Sequence, residues 1–208
     1  MNSILDRFLV FSGVLSLIIF ISTLAILGSV VPGYSHTKNF VSDLASSDSI
    51  VRNEMNIFGF LLPGLLIFLF SIGLYKSTAS KWSGKLGAIL LSLAGISFVS
   101  VAFFPANHPN TNSVELHDII SVASLHLTVI SFFFLGYQEV HRKVLDKHWL
   151  YMLLFIATIV IFLTFLYPQL DVTDYGGIVQ RITIAIPYLM TATSSIYLYW
   201  FEFVRKKS

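Results

Sequence analysis

Cysteine is absent and charge is scarce: the 208 residues contain no Cys and only 12% Asp, Glu, Lys and Arg. An ordinary soluble domain carries about 25% charged residues. Without Cys there are no disulfides, thiolate metal ligands or thiol nucleophiles, although the compartment is not thereby identified. Phosphate-loop and dinucleotide fingerprints are missing too, which argues against an energy-coupled pump. There is no His-Glu-x-x-His and no His pair at i and i+4. No acidic residue lies deep in an apolar run, so the chain has no obvious carboxylate carrier for protons or cations.

What is present is apolar surface, at 55% of the residues. About 20 helical residues at 1.5 Å each span a hydrocarbon core of about 30 Å. Six runs meet that length: Phe8–Val31, Met55–Tyr75, Leu86–Phe104, Ile119–Tyr137, Trp149–Tyr167 and Ile182–Phe201. The first is too long for a signal-peptide core and lacks a clean small-residue cleavage site, so it reads as a retained helix. The longest gap, Pro32–Glu54, is too short for an independent core. The expected fold class is therefore all-α, one polytopic membrane bundle of six transmembrane helices over residues 1–208.

Short basic loops stay cytoplasmic. Arg7, Lys76, Lys81, Lys85, Arg142, Lys143, Lys147, Arg205, Lys206 and Lys207 fall on one side, against Lys38, Arg52 and Arg181 on the other. This alternation predicts both termini inside (N-in, C-in). The same clusters account for the basic pI, so no nucleic-acid partner is implied.

Within the first outer loop, Phe40, Val41 and Leu44 are spaced for a short helix lying in the membrane interface, placed to cover a site. Asp48 or Ser49 is a candidate cap for the second span. Pro63 should kink that span and free a carbonyl. Asn112 and Glu115 approximate a capping box at the start of the fourth span.

Ionisable residues gather on the outer side, so a site, if present, opens outward. The ligand-binding candidates are Ser42, Asp43, Arg52, His117, Asp118, His126 and Arg181. His126 lies roughly 13 Å inside the fourth helix, where an ionisable group is either functional or a hydrogen-bonding packing residue. At about 100° per residue, His117, Ser121, Ser124, Thr128 and Ser131 share one face about 80° wide, either a close packing seam or a polar path inward. His126 points the opposite way, so the two histidines cannot hold one ion from a regular helix. Arg181 could pair with Asp43, Asp118 or a lipid headgroup, or snorkel. Gly87, Ser92, Gly95 and Ser100 give the third span a small-residue face, suited to packing within the chain or between copies in a homo-oligomer.

Two functional readings compete. The first is an outward polar pocket for a lipid or small amphiphile, with membrane lipids as partners and no cofactor. The alternative is a membrane-embedded hydrolase in which His117 with His36 or His108, and Asp43 or Asp118, hold zinc while Ser42 assists. Haem needs two facing deep histidines and only one is deep.

The segments Pro32-Gly33-Tyr34-Ser35 and Asn39-Phe40-Val41-Ser42-Asp43-Leu44, then Phe103-Phe104-Pro105 and the helix with His117 and His126, resemble an uncharacterised prokaryotic membrane family, domain of unknown function 998. The resemblance implies six spans in a bacterial or archaeal cytoplasmic membrane and supplies no activity. Ala106-Asn107 stand where an acidic residue is expected after the Phe-Pro, which weakens a metal or general-acid role for that turn.

Overall fold

The computed structural model describes residues 3–77, 82–104, 106, 111–141, 159 and 174–204. Among these residues there are five helices long and apolar enough to cross a membrane, and no strands. They are α1 (Ile4–Val30), α2 (Arg52–Ser77), α3 (Trp82–Val101), α4 (Thr111–His141) and α5 (Gly176–Val204). The run Trp149–Tyr167, Ile159 apart, lies outside the described residues, as do His108 and the basic residues from Arg142 to Lys147.

Helix α1 starts four residues before its apolar run because Ser3 caps it. Its hydroxyl accepts from Asp6 N at 3.1 Å, and the Asp6 carboxylate accepts from Ser3 N in return. The first loop holds a 3-10 helix, Val41–Ala45. Its apolar residues do not lie on a lipid interface: Val41 and Leu44 are fully buried in the bundle. At the start of α2 the Ser49 hydroxyl accepts from Val51 N at 3.4 Å.

Pro63 has no N–H to donate, and the wide π-helical stretch Met55–Leu61 lies directly before it, with Leu62 N donating to Ile57 O. The expected irregularity is thus a π segment within α2. Helix α4 begins at Thr111, so Asn112 sits in its first turn rather than capping it.

Polarity is inverted relative to a soluble bundle. Large apolar side chains such as Ile18, Ile21, Ile89 and Ile96 face outward, while Ser12, Ser16, Ser71, Thr191 and Ser195 are buried. In lipid the exterior is as apolar as a core, so helices associate through close packing and hydrogen bonds instead of hydrophobic contrast. The buried hydroxyls are satisfied by carbonyls, Ser12 and Ser16 within their own helix and Ser195 across to Val10 O on α1. Helix α3 packs on α2 and α4, and α1 packs on α2 and α5.

Charge marks one end of the bundle. Lys76 pairs with Asp6 at 3.0 Å, and the Arg7 guanidinium lies over Phe203, joining the start of α1 to the ends of α2 and α5. The loop 31–51 occupies the other end, against the start of α5.

Candidate functional site

At the loop end of the bundle lies a cavity of about 440 Å³. Pockets that hold small molecules run about 300–1,000 Å³ and combine apolar walls with a few placed polar groups. Here Phe60, Phe98, Val101, Leu125 and Ile184 supply apolar wall, and Ser42, His117, Asp118, Ser121 and Gln180 supply polar groups. One further side is the loop itself, through Phe40, Val41 and Ser42.

His117 is buried at 5% exposure, and its Nδ1 lies 2.6 Å from Phe104 O at the end of α3. A carbonyl can only accept, so Nδ1 carries the proton in this contact. Below it the predicted hydroxyl face divides by depth. Ser121 and Ser124 line the cavity, whereas Ser131 donates to Gly87 O on α3 at 2.7 Å. The upper part is thus a wall of the cavity and the lower part a packing seam.

His126 does not line the cavity. Its Nδ1 lies 2.8 Å from Val122 O of its own helix, on the face away from His117. Asp43 is engaged in shaping the loop: its carboxylate accepts from Phe40 N at 2.8 Å and caps the 3-10 helix. Arg52 is half-buried at the start of α2 and is not among the lining residues.

Arg181 pairs with none of the carboxylates considered for it. Its Nη1 donates to Asn39 O at 2.8 Å and Gly177 O at 2.9 Å, and its Nη2 donates to the Tyr34 hydroxyl and to His36 Nδ1 at 3.2 Å. The guanidinium also lies against the Tyr34 ring, 5.6 Å from its centroid. Tyr34 in turn donates to Phe40 O at 2.9 Å.

Backbone contacts complete the clasp: Gly177 N donates to Lys38 O, and Ile178 N to Thr37 O, both at 3.1 Å. The first amides of α5, which have no partner within their own helix, are thereby satisfied by the loop. Gly177 has to be glycine, since a Cβ there would sit 2.4 Å from Asn39 O. Val41 N donates to Gln180 Oε1 at 2.6 Å, and Lys38 pairs with Asp174 at 2.6 Å. Burial first, and the Arg181 charge second, hold the His36 imidazole below its ordinary pKa. Burial pushes the Tyr34 phenol up, with Arg181 opposing.

Of the sequence candidates, the structure brings Ser42, His117 and Asp118 together at the cavity and gives Asp43 and Arg181 to the loop that walls it. Sequence reasoning passed over Tyr34, Asn39 and Gln180. The pair Gly176-Gly177 just before Arg181 was the available signal, because paired glycines at a helix start allow another backbone to approach closely. Among the described residues no group of three His, Asp or Glu is placed to hold a metal ion.

No curated protein and no solved structure matches the chain. A family model does match, over residues 14–197, which takes in the loop, the cavity-lining helices and most of α5. The chain belongs to the family described as protein of unknown function (DUF998).

Proposed function

We propose that the protein is a multi-pass membrane protein that binds a lipid or small amphiphile in the cavity beneath the loop 31–51. The observation that carries this reading is the cavity's composition: apolar walls from α2, α3, α4 and α5, with His117, Asp118 and Ser42 among its polar groups. An amphiphile needs that combination, since its chain gains nothing from polar walls and its head requires partners when it leaves water.

The test is native mass spectrometry of the protein released from lipid nanodiscs. A bound amphiphile is expected on the wild type and should be lost in Ser121→Phe, which grows a ring from the cavity wall. Equal retention by the two proteins places the ligand elsewhere and sinks the reading. The same spectra address the hydrolase alternative. A stoichiometric zinc that disappears with His117→Ala would favour it, and the described residues offer His117 and Asp118 together at the cavity as a starting point.

The proposal includes six crossings with both termini in the cytoplasm of a prokaryotic cell. Helices α4 and α5 both run from the loop end toward the basic end: His117 meets Phe104 and Gly177 meets Lys38 at one end, while Phe203 meets Arg7 at the other. The chain between them has to return, and Trp149–Tyr167 has the length and apolarity to do so. Orientation rests on the basic residues at the end that holds Arg7, Lys76 and Lys85. A phosphatase fused after Lys207 should be inactive and a fluorescent protein there bright, and the reverse result would overturn the orientation.

A further inference from the structure

The polar groups of this cavity also discriminate among amphiphiles. This step rests on the pocket reading and specifies which head the pocket accepts.

Among the described lining residues there is no Lys or Arg. Of the cations at this end, Arg181 is engaged by Asn39, Gly177, Tyr34 and His36, Lys38 is paired with Asp174, and Arg52 lies outside the lining. What the lining offers instead is the acceptor-only Asp118 carboxylate and the Ser42 and Ser121 hydroxyls, each able to donate and accept. The Ser124 hydroxyl gives its proton to Ser121 O and so presents lone pairs as well. Gln180 is the complementary donor. Its Oε1 accepts from Val41 N, which leaves the amide N–H₂ for a ligand oxygen.

A carboxylate or phosphate head would meet no compensating cation among the described lining residues and would face the Asp118 carboxylate, and juxtaposed like charges disfavour binding. A hydroxylated, uncharged head reverses both terms. Its O–H groups donate to Asp118 and exchange hydrogen bonds with the Ser42 and Ser121 hydroxyls, and an ester or ether oxygen accepts from Gln180. Size adds a second limit. At about 30 Å³ per water-sized group, 440 Å³ holds roughly fifteen such groups, and a methylene occupies a similar volume. That is a glyceryl ester head and the first part of one acyl chain, whose remainder extends out of the cavity, with no room for a second chain beside it.

We infer that the pocket selects single-chain amphiphiles with an uncharged, hydroxyl-bearing head, the monoacylglycerol and long-chain alcohol class, over fatty acids and diacyl lipids.

The experiment is a competition in phosphatidylcholine nanodiscs at about pH 8, with equimolar monopalmitoylglycerol, palmitate and dipalmitoylglycerol, read by native mass spectrometry. Monopalmitoylglycerol should be retained at least about tenfold over palmitate, an advantage worth about 1.4 kcal/mol. Asp118→Asn should narrow that gap by raising palmitate retention while monopalmitoylglycerol still binds. Asp118 is exposed, so this variant is expected to fold. Palmitate retained as well as the glyceride, or a gap unchanged by Asp118→Asn, overturns the head selectivity. Dipalmitoylglycerol winning the competition overturns the single-chain limit. In either case, loss of the bound species in Ser121→Phe leaves the pocket reading intact. Retention of none of the three overturns both.

Discussion

Gly95→Leu is expected to prevent the protein from being recovered as a folded, monodisperse species, because α2 and α3 touch backbone to backbone at this point. A Cβ on Gly95 would lie 2.8 Å from Phe68 N and 2.9 Å from Gly64 O. On Gly64, a Cβ would lie 2.7 Å from Val99 N and 2.9 Å from Gly95 O. Side-chain neighbours can rotate away, whereas these contacts are main-chain atoms, so relief requires moving one helix off the other. Inserting extra carbons into a packed interior costs about 1–3 kcal/mol. A whole Leu side chain at a backbone crossing should reach or exceed the top of that range.

The loss cannot be recovered by burying the new side chain, since lipid offers Leu the same apolar surroundings as the protein interior. Gly95→Ala should fall between Leu and wild type. Size-exclusion profiles and thermal unfolding in a mild detergent give the order directly. A Gly95→Leu protein with wild-type melting would mean that the two helices do not cross there.

Arg181→Lys should fail nearly as badly as Arg181→Ala in holding the loop, although it keeps the charge. The guanidinium reaches four partners at once, two carbonyls from Nη1 and the Tyr34 hydroxyl and His36 ring from Nη2. A single ammonium cannot reproduce that fork. Hydrogen bonds involving a charged group contribute about 1.5–3 kcal/mol each at most, and they are not additive within one cluster. A loss on the order of 2–3 kcal/mol in loop docking is expected, equivalent to roughly 30- to 140-fold faster amide exchange in residues 34–41 by the usual 1.4 kcal/mol per decade. Unchanged exchange in both variants would show that the backbone contacts at Gly177 and Ile178 hold the loop alone.

Acidification should act on the same contacts. Because His36 Nδ1 accepts from Arg181 Nη2, the docked ring is neutral, and its pKa is held below the ordinary value of about 6.5 by burial first and by Arg181 second. Above about pH 7.5 the ring is neutral whether docked or released, and its contribution is complete. As pH falls below that, the released form takes up the proton first, so the contribution declines until the lower docked pKa is passed. Tyr34 and Arg181 are the other ionisable groups in contact with the ring among the described residues. Exchange in residues 34–41, corrected for its intrinsic pH dependence, should therefore rise between about pH 7.5 and 5.5. In His36→Gln, whose amide oxygen can accept from Arg181 without titrating, that rise should vanish.

A good part of this molecule is readable from the sequence because the bilayer imposes a length and the helix a period. Three of the five described helices contain their predicted runs, α1 stops at Val30, one residue short, and α3 stops at Val101, just short of Phe104, in a tight turn of i to i−3 bonds. The shared face of His117, Ser121, Ser124, Thr128 and Ser131, and the opposite aspect of His126, follow from 100° per residue and stand in the structure. Membership of the family was also legible, in the short motifs around Pro32, Asp43 and Phe104.

The partners of those residues were not legible, because they come from parts of the chain far apart in sequence and their pairing depends on how helices cross. Arg181 meets residues about 145 positions away, and no local spacing distinguishes a guanidinium destined for Tyr34 and Asn39 from one that snorkels to a headgroup. Asp43 had the composition of a binding residue, and only the loop's own fold turned it to Phe40 N. The cavity brings Phe60, Phe98, Leu125 and Ile184 together from four helices. Periodicity determined which face each helix could offer, whereas backbone contacts such as Gly64 on Gly95 determined how closely the helices approach, and so where space was left between them.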